Sequence, residues 1–200
     1  METDKAIATN VVRAMTRPVS AQPIHFNAER LVAETSEILA SHSKHFDKYS
    51  AINLVAPRGE EEELTFGCGS LYDYERKRWI AEEKDFDTII HQFAQTYLAD
   101  TINDVALYAK EKYNLEVGRS RLMVLRPKSC LTFHTDSGAT MRFHIPIITN
   151  PDCMFIHNVP HPVVSKMPNV GQLYTFDSSV PHTAINASRE HRVHLVMVGY

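Results

Sequence analysis

Cysteine is scarce in this chain: three residues, Cys68, Cys130 and Cys153, with no Cys-x-x-Cys spacing. That argues against a disulfide framework or a thiolate zinc site, and the odd count fits a reducing compartment. No apolar run approaches the roughly 18 residues that a membrane-crossing helix needs. A basic excess is missing too. The 21 Lys and Arg against 24 Asp and Glu give a net charge of −3, so nothing in the balance points to nucleic acid. Residues 1–10 are polar and carry acids, the composition of neither a signal nor a transit peptide. Internal repeats, low-complexity tracts and a linker long enough to divide the chain are absent. The expectation is one domain over residues 1–200, cytoplasmic, with no nucleic-acid or membrane partner.

What is present is ordinary for a globular chain: 44% hydrophobic and 22% charged residues, enough for a sizeable core. Residues 1–23 read as an extended arm with one edge strand. Asn27 is a plausible N-cap for a helix to Ser41, with Leu31, Thr35, Ile38 and Leu39 on one face. Tyr49 to Val55 reads as a strand ended by Pro57-Arg58-Gly59. The run Glu60 to Glu63 reads as a solvated loop rather than a contact for a basic partner. Leu64 to Ile80, with Gly67, Gly69, Tyr72, Tyr74 and Trp79, either lines a pocket or tucks its aromatics into the core. Phe86 to Lys112 carries a helical apolar stripe, with a break near Asp100.

After Gly118 the pattern changes to short strands: Arg119 to Leu125, Thr140 to Ile148, Met154 to His157, Leu173 to Phe176 and His191 to Val198. Turn signals separate them, among them Ser137-Gly138, Asn150-Pro151 and Pro168 to Gly171. The fold class that follows is mainly β with N-terminal helices: a jelly roll, a cupin-like double-stranded β-helix, buttressed by helices. Residues 1–115 would be the support and 116–200 the core. An exposed strand edge would suit a homodimer.

One constellation within that core carries chemistry. His134 and Asp136 lie two residues apart, so on a strand they share a face. His182 follows in Val-Pro-His-Thr, at the edge of another strand. Two imidazoles and a carboxylate on one face of an octahedron leave three positions open, the pattern of non-haem Fe(II) oxygenases. Arg192 lies ten residues beyond His182, inside the last strand. A guanidinium there is costly unless an anion such as a dicarboxylate meets it. With Arg192 facing inward, His194 faces inward too. Phe133, Met141, Phe143, Phe155 and Phe176 are candidates for a dry lining. Taken singly, each residue has a blander reading: pocket histidines, a turn aspartate, a surface arginine, core aromatics.

The stretch Arg121 to Val198 resembles the aspartyl/asparaginyl β-hydroxylase family of Fe(II)/2-oxoglutarate oxygenases, which includes amino-acid hydroxylases of the L-proline cis-4-hydroxylase kind. The matching pieces are Arg121 to Pro127, His134-Thr-Asp136, Arg142-Phe-His144-Ile-Pro-Ile147, Gly171 to Asp177, Pro181-His182 and His191 to Val196. Residues 1–115 match only in general type. The resemblance implies that His134, Asp136 and His182 hold Fe(II). It implies that Arg192 binds the distal carboxylate of 2-oxoglutarate, with Arg142 and His144 near its metal-bound end. O2 would be the second co-substrate, with succinate and CO2 released and an unactivated C–H of an amino acid, free or peptidyl, hydroxylated. No catalytic residue beyond the metal ligands is implied. Vertebrate peptidyl members lack the carboxylate ligand, so Asp136 places the chain nearer the bacterial amino-acid hydroxylases. A hydroxyl side chain that helps hold 2-oxoglutarate in the peptidyl enzymes is Met123 here.

Two other readings fit the residues. One is a cupin-like metalloenzyme without 2-oxoglutarate, using His144 or His157 as a further ligand. The other is a non-catalytic jelly-roll binding module, which a broken triad would mark; none of the three ligands is missing here.

Overall fold

The computed structural model describes residues 18–136 and 141–200. The first part of the expected N-terminal arm and the expected Ser137-Gly138 turn lie outside the described residues. The chain begins with β1 (Val19–His25), then α1 (Ala28–Ser41) and α2 (Ser43–Tyr49). Short strands β2 (Ala51–Asn53), β3 (Val55–Pro57), β4 (Tyr72–Asp73), β5 (Arg78–Trp79) and β6 (Phe86–Ile89) precede the long α3 (Tyr97–Tyr113). The β-rich part is β7 (Val117–Leu125), β8 (Ser129–Cys130), β9 (Met141–Ile148), β10 (Cys153–Val159), β11 (His161–Ser165), β12 (Gln172–Phe176), β13 (His182–Asn186) and β14 (Arg192–Gly199).

These strands form two main antiparallel sheets. The larger runs β1-β12-β9-β14-β7-β2, and the smaller runs β11-β10-β13-β8. One face of the larger sheet carries Leu122, Phe143, Ile145, Ile147, Leu173, Leu195 and Met197, which pack with Leu31 and Ile38 of α1 and Leu98, Ile102 and Val105 of α3. Its other face meets the smaller sheet through Leu125, Tyr174, Phe176, Phe155 and Ala184. The result is the jelly roll expected, with helices buttressing one sheet from outside. Both faces of β14 are covered, so all eight of its residues are buried. Period-two alternation then sends Leu195 and Met197 to the helix-side core and leaves Arg192, His194 and Val196 on the opposite face.

The helices start where the sequence provides acceptors. The Asn27 side chain accepts from the Arg30 N–H at 3.0 Å. At α3, Thr96 accepts from Ala99 N, and the Glu34 carboxylate, reaching across from α1, accepts from Tyr97 N and Leu98 N. Those acceptors correct the expected helix from Phe86 to Lys112. Its first part is strand β6, paired with β3, followed by a 3₁₀ turn at His91–Phe93. The helical stripe there was accidental: Phe86 and Ile90 are buried by strand pairing and a turn, not by one helix face. The expected strand Tyr49 to Val55 is likewise divided. Tyr49 ends α2, Ser50 turns the chain at φ 56°, and β2 and β3 follow.

Gly118, on β7, sits against the turn before β6. A Cβ at this position would lie 2.1 Å from the backbone oxygen of Glu83. Backbone cannot yield as a flexible side chain can, so Gly118→Ala should destabilise the fold by about 1–3 kcal/mol. Urea unfolding of the variant measures it.

Candidate metal centre and cavity

His134 and His182 face each other across an isolated antiparallel bridge. His134 N–H donates to His182 O at 3.1 Å, and His182 N–H donates to His134 O at 2.9 Å. Asp136 is tied down by its own N–H, which donates to Ser178 O. This backbone clamp brings three side chains together. His134 Nε2 is 3.8 Å from one Asp136 oxygen, His182 Nε2 is 4.0 Å from the other, and the ligand atoms all lie within 4.8 Å of one another.

The ring orientations suit a metal. His134 Nδ1 lies 2.7 Å from Thr132 O, and His182 Nδ1 lies 2.9 Å from Val180 O. A carbonyl can only accept, so both Nδ1 atoms carry a proton, and in the neutral ring this leaves the Nε2 lone pair for an ion. Arg142, on β9, donates from Nε to the Asp136 carboxylate. Burial alone would raise the Asp136 pKa, but the Arg142 charge and hydrogen bond, with the two imidazoles, hold it at about 2. The carboxylate is therefore ionised across the neutral range. Burial pushes the His182 pKa down, which keeps its lone pair available.

The three residues open into a cavity of about 640 Å³ between the two sheets. Arg192, 4% exposed, lies within it, with its guanidinium 4.8 Å from the centre of the Phe155 ring. Its Nε and one terminal nitrogen are buried without a hydrogen-bond partner. Burial lowers its pKa to about 10, which leaves it a cation at neutral pH. Phe155 and His157 are one pleat apart on β10, about 7 Å. His157 is paired in register with His182.

His134, Asp136 and His182 come together. Arg192 and His144 line the same cavity, and Arg142 lines it while engaging Asp136. Of the five aromatic and apolar lining candidates, Phe155 and Phe176 line the cavity, whereas Met141 and Phe143 belong to the helix-side core. Phe133 is 52% exposed. The loop after Leu64 contributes Cys68, Leu71, Tyr74 and Trp79 to the wall. His157 lies outside the cluster that could hold an ion; its Nε2 faces the Asp177 carbonyl and its Nδ1 is buried without a partner.

One contributor lay hidden in a motif. Arg121, on β7, is 4% exposed and lines the cavity. One terminal nitrogen donates to Cys68 O at 2.9 Å, while Nε is buried without a partner. Its neighbour Arg119 is matched by Glu83, with contacts of 3.1 and 2.6 Å. Two arginines two residues apart on a strand signal a shared face. Sequence alone could not say which of them had a carboxylate.

A family model described as aspartyl/asparaginyl beta-hydroxylase matches residues 25–199, helices included. No curated protein matches the chain. Among solved structures, a Pseudomonas putida prolyl-4-hydroxylase is similar at a TM-score of 0.53 and 16% identity, over 96% of this chain and 98% of that one. A 2OG-Fe(II) oxygenase family oxidoreductase from Burkholderia pseudomallei gives a TM-score of 0.60 at 11% identity, over 96% and 89%. EctD from S. alaskensis, solved with 2-oxoglutarate and 5-hydroxyectoine, gives 0.54 at 11%, over 96% and 75%. At such identities the likeness is one of fold. No helix among the described residues is long and apolar enough to cross a membrane.

Proposed function

The chain belongs to the aspartyl/asparaginyl beta-hydroxylase family, and from that premise we propose that His134, Asp136 and His182 bind Fe(II), that Arg192 binds 2-oxoglutarate, and that the substrate is an amino acid. Membership makes the chain a hydroxylating dioxygenase; the ion, the co-substrate and the residue roles are our reading. The donor set fits the ion: two imidazoles and one ionised carboxylate converge, and the cluster itself contains no cysteine to favour zinc. When bound, Fe(II) would supply the O2 chemistry that side chains cannot perform.

The side chains supply the rest. His134 and His182 present lone pairs fixed by their carbonyl partners. Arg142 holds the Asp136 carboxylate in place and takes part of its charge. Arg192 neutralises the far carboxylate of a diacid in a dry setting made by Phe155 and Phe176. The observation that carries the reading is this buried cation with unpartnered N–H groups, in the same cavity as a three-ligand cluster. A metal site alone would not ask for a second anion.

Arg121 is the side chain we assign to the substrate. Burial and the nearby Arg119 and Arg142 charges lower its pKa, and its free Nε needs an acceptor. The carboxylate of an amino acid, free or at a peptide end or side chain, would supply one. Arg121→Leu is then expected to raise the substrate KM at least about tenfold, the worth of one charge-assisted hydrogen bond, and to leave 2-oxoglutarate binding little changed. The general test is mass spectrometry of an amino-acid and peptide panel after turnover with Fe(II), ascorbate and 2-oxoglutarate. The expected result is a product gaining one oxygen, with succinate in equal amount. A panel with no succinate formed under any condition would sink the proposal.

A further inference from the structure

Behind His144 stands an imidazole to which the roles above give no task. His194 is 0% exposed and does not line the cavity. Its Nδ1 lies 3.4 Å from Nδ1 of His144, and Nε2 of each ring is buried without a partner. Two ring nitrogens facing each other share one proton: one donates and the other accepts. Burial, and then the Arg192 charge, push both imidazoles well below their usual pKa. Both rings are therefore neutral, with one N–H each.

Only two arrangements remain, and they offer the cavity opposite chemistry. If His144 donates at Nδ1, its Nε2 is a bare lone pair. If His144 accepts at Nδ1, its Nε2 carries the proton. His144 lines the cavity, wedged between Phe155 and Phe176 with ring centres 5.6 and 5.1 Å away. A lone pair there would repel the anion that Arg192 requires. The first arrangement would also put an N–H on His194 Nε2, an atom with no acceptor, on a ring where Arg192 is the strongest neighbouring charge.

We propose that His194 is a positioning residue: its Nδ1–H donates to Nδ1 of His144, which keeps the His144 proton on Nε2 to donate to a carboxylate oxygen of bound 2-oxoglutarate. This rests on the co-substrate reading of Arg192. Neither ring moves a proton in the reaction. The pair acts as a fixed dipole that gives an otherwise ambiguous imidazole a donor face.

The test is nitrogen NMR of ¹⁵N-histidine protein loaded with diamagnetic Zn(II), with and without 2-oxoglutarate. The expected spectrum shows His144 protonated at Nε2 and His194 at Nδ1. The reversed pair overturns the proposal whether or not 2-oxoglutarate binds. Wild-type protein that binds no 2-oxoglutarate by calorimetry overturns the co-substrate reading and this one with it. Two variants add a graded readout. His194→Leu removes the donor, and 2-oxoglutarate affinity should fall about tenfold, while His194→Asn keeps a donor near the same point and should stay within about threefold of wild type. Equal weakening by both variants would mean packing alone and would overturn the proposal.

Discussion

Asp136→Ala should abolish turnover and lower Fe(II) affinity by at least about 100-fold, since removing even an outer partner of a metal ligand commonly costs 10- to 100-fold. The loss exceeds that of a ligand alone because of what stays behind. Arg142 currently donates to Asp136, and the carboxylate offsets its charge. With alanine at 136 the guanidinium stands beside the two imidazoles with no carboxylate to offset it, and a positive neighbour repels a divalent ion. Asp136→Asn separates the two effects: it keeps an acceptor for Arg142 but removes the negative charge. The order expected is wild type far above Asn, and Asn above or equal to Ala. Anaerobic Fe(II) titration and a chelator challenge both measure it. Unchanged affinity in Asp136→Ala and His134→Ala alike would leave no metal centre to discuss.

The convergence of His134, Asp136 and His182 was more legible in the sequence than the frame that holds them, and the reason is physical. His134-Thr-Asp136 is a local pattern, because residues two apart on extended backbone share a face whatever the rest of the chain does. The core strands were legible through the turn signals that separate them, helped in β14 by a partial period-two alternation. The N-terminal part was not, because its pairings are tertiary. Phe86 to Ile89 becomes a strand only because Val55 to Pro57 lies alongside. The true start of α3 depends on Glu34, more than 60 residues earlier. Short strands such as β8, with two residues paired to β13, carry too little pattern to be read. The charge partners were equally hidden: nothing local says that Arg119 finds Glu83, that Arg142 finds Asp136, or that Arg121 and Arg192 keep unpartnered N–H groups.

Arg192→Met should show a rare pairing of outcomes: a more stable protein that no longer holds its co-substrate. The Arg192 guanidinium has two buried nitrogens without acceptors in the protein, and an aromatic face is its neighbour. Exchanging buried ionic groups for apolar ones of similar volume is often stabilising by about 1–4 kcal/mol, and methionine's flexible stem can fill the same space. The diacid loses both prongs of a charged fork, so the 2-oxoglutarate KM should rise at least about 100-fold. A thermal shift reads both signs at once. Saturating 2-oxoglutarate at about 100 times Kd stabilises the metal-loaded wild type by roughly 2.7 kcal/mol, and the variant, already higher without ligand, should not respond. A residue kept only for structure would behave the other way: its loss would lower stability and leave the ligand response intact. The cation therefore belongs to function if the protein stands firmer without it, and to the scaffold if the protein sags.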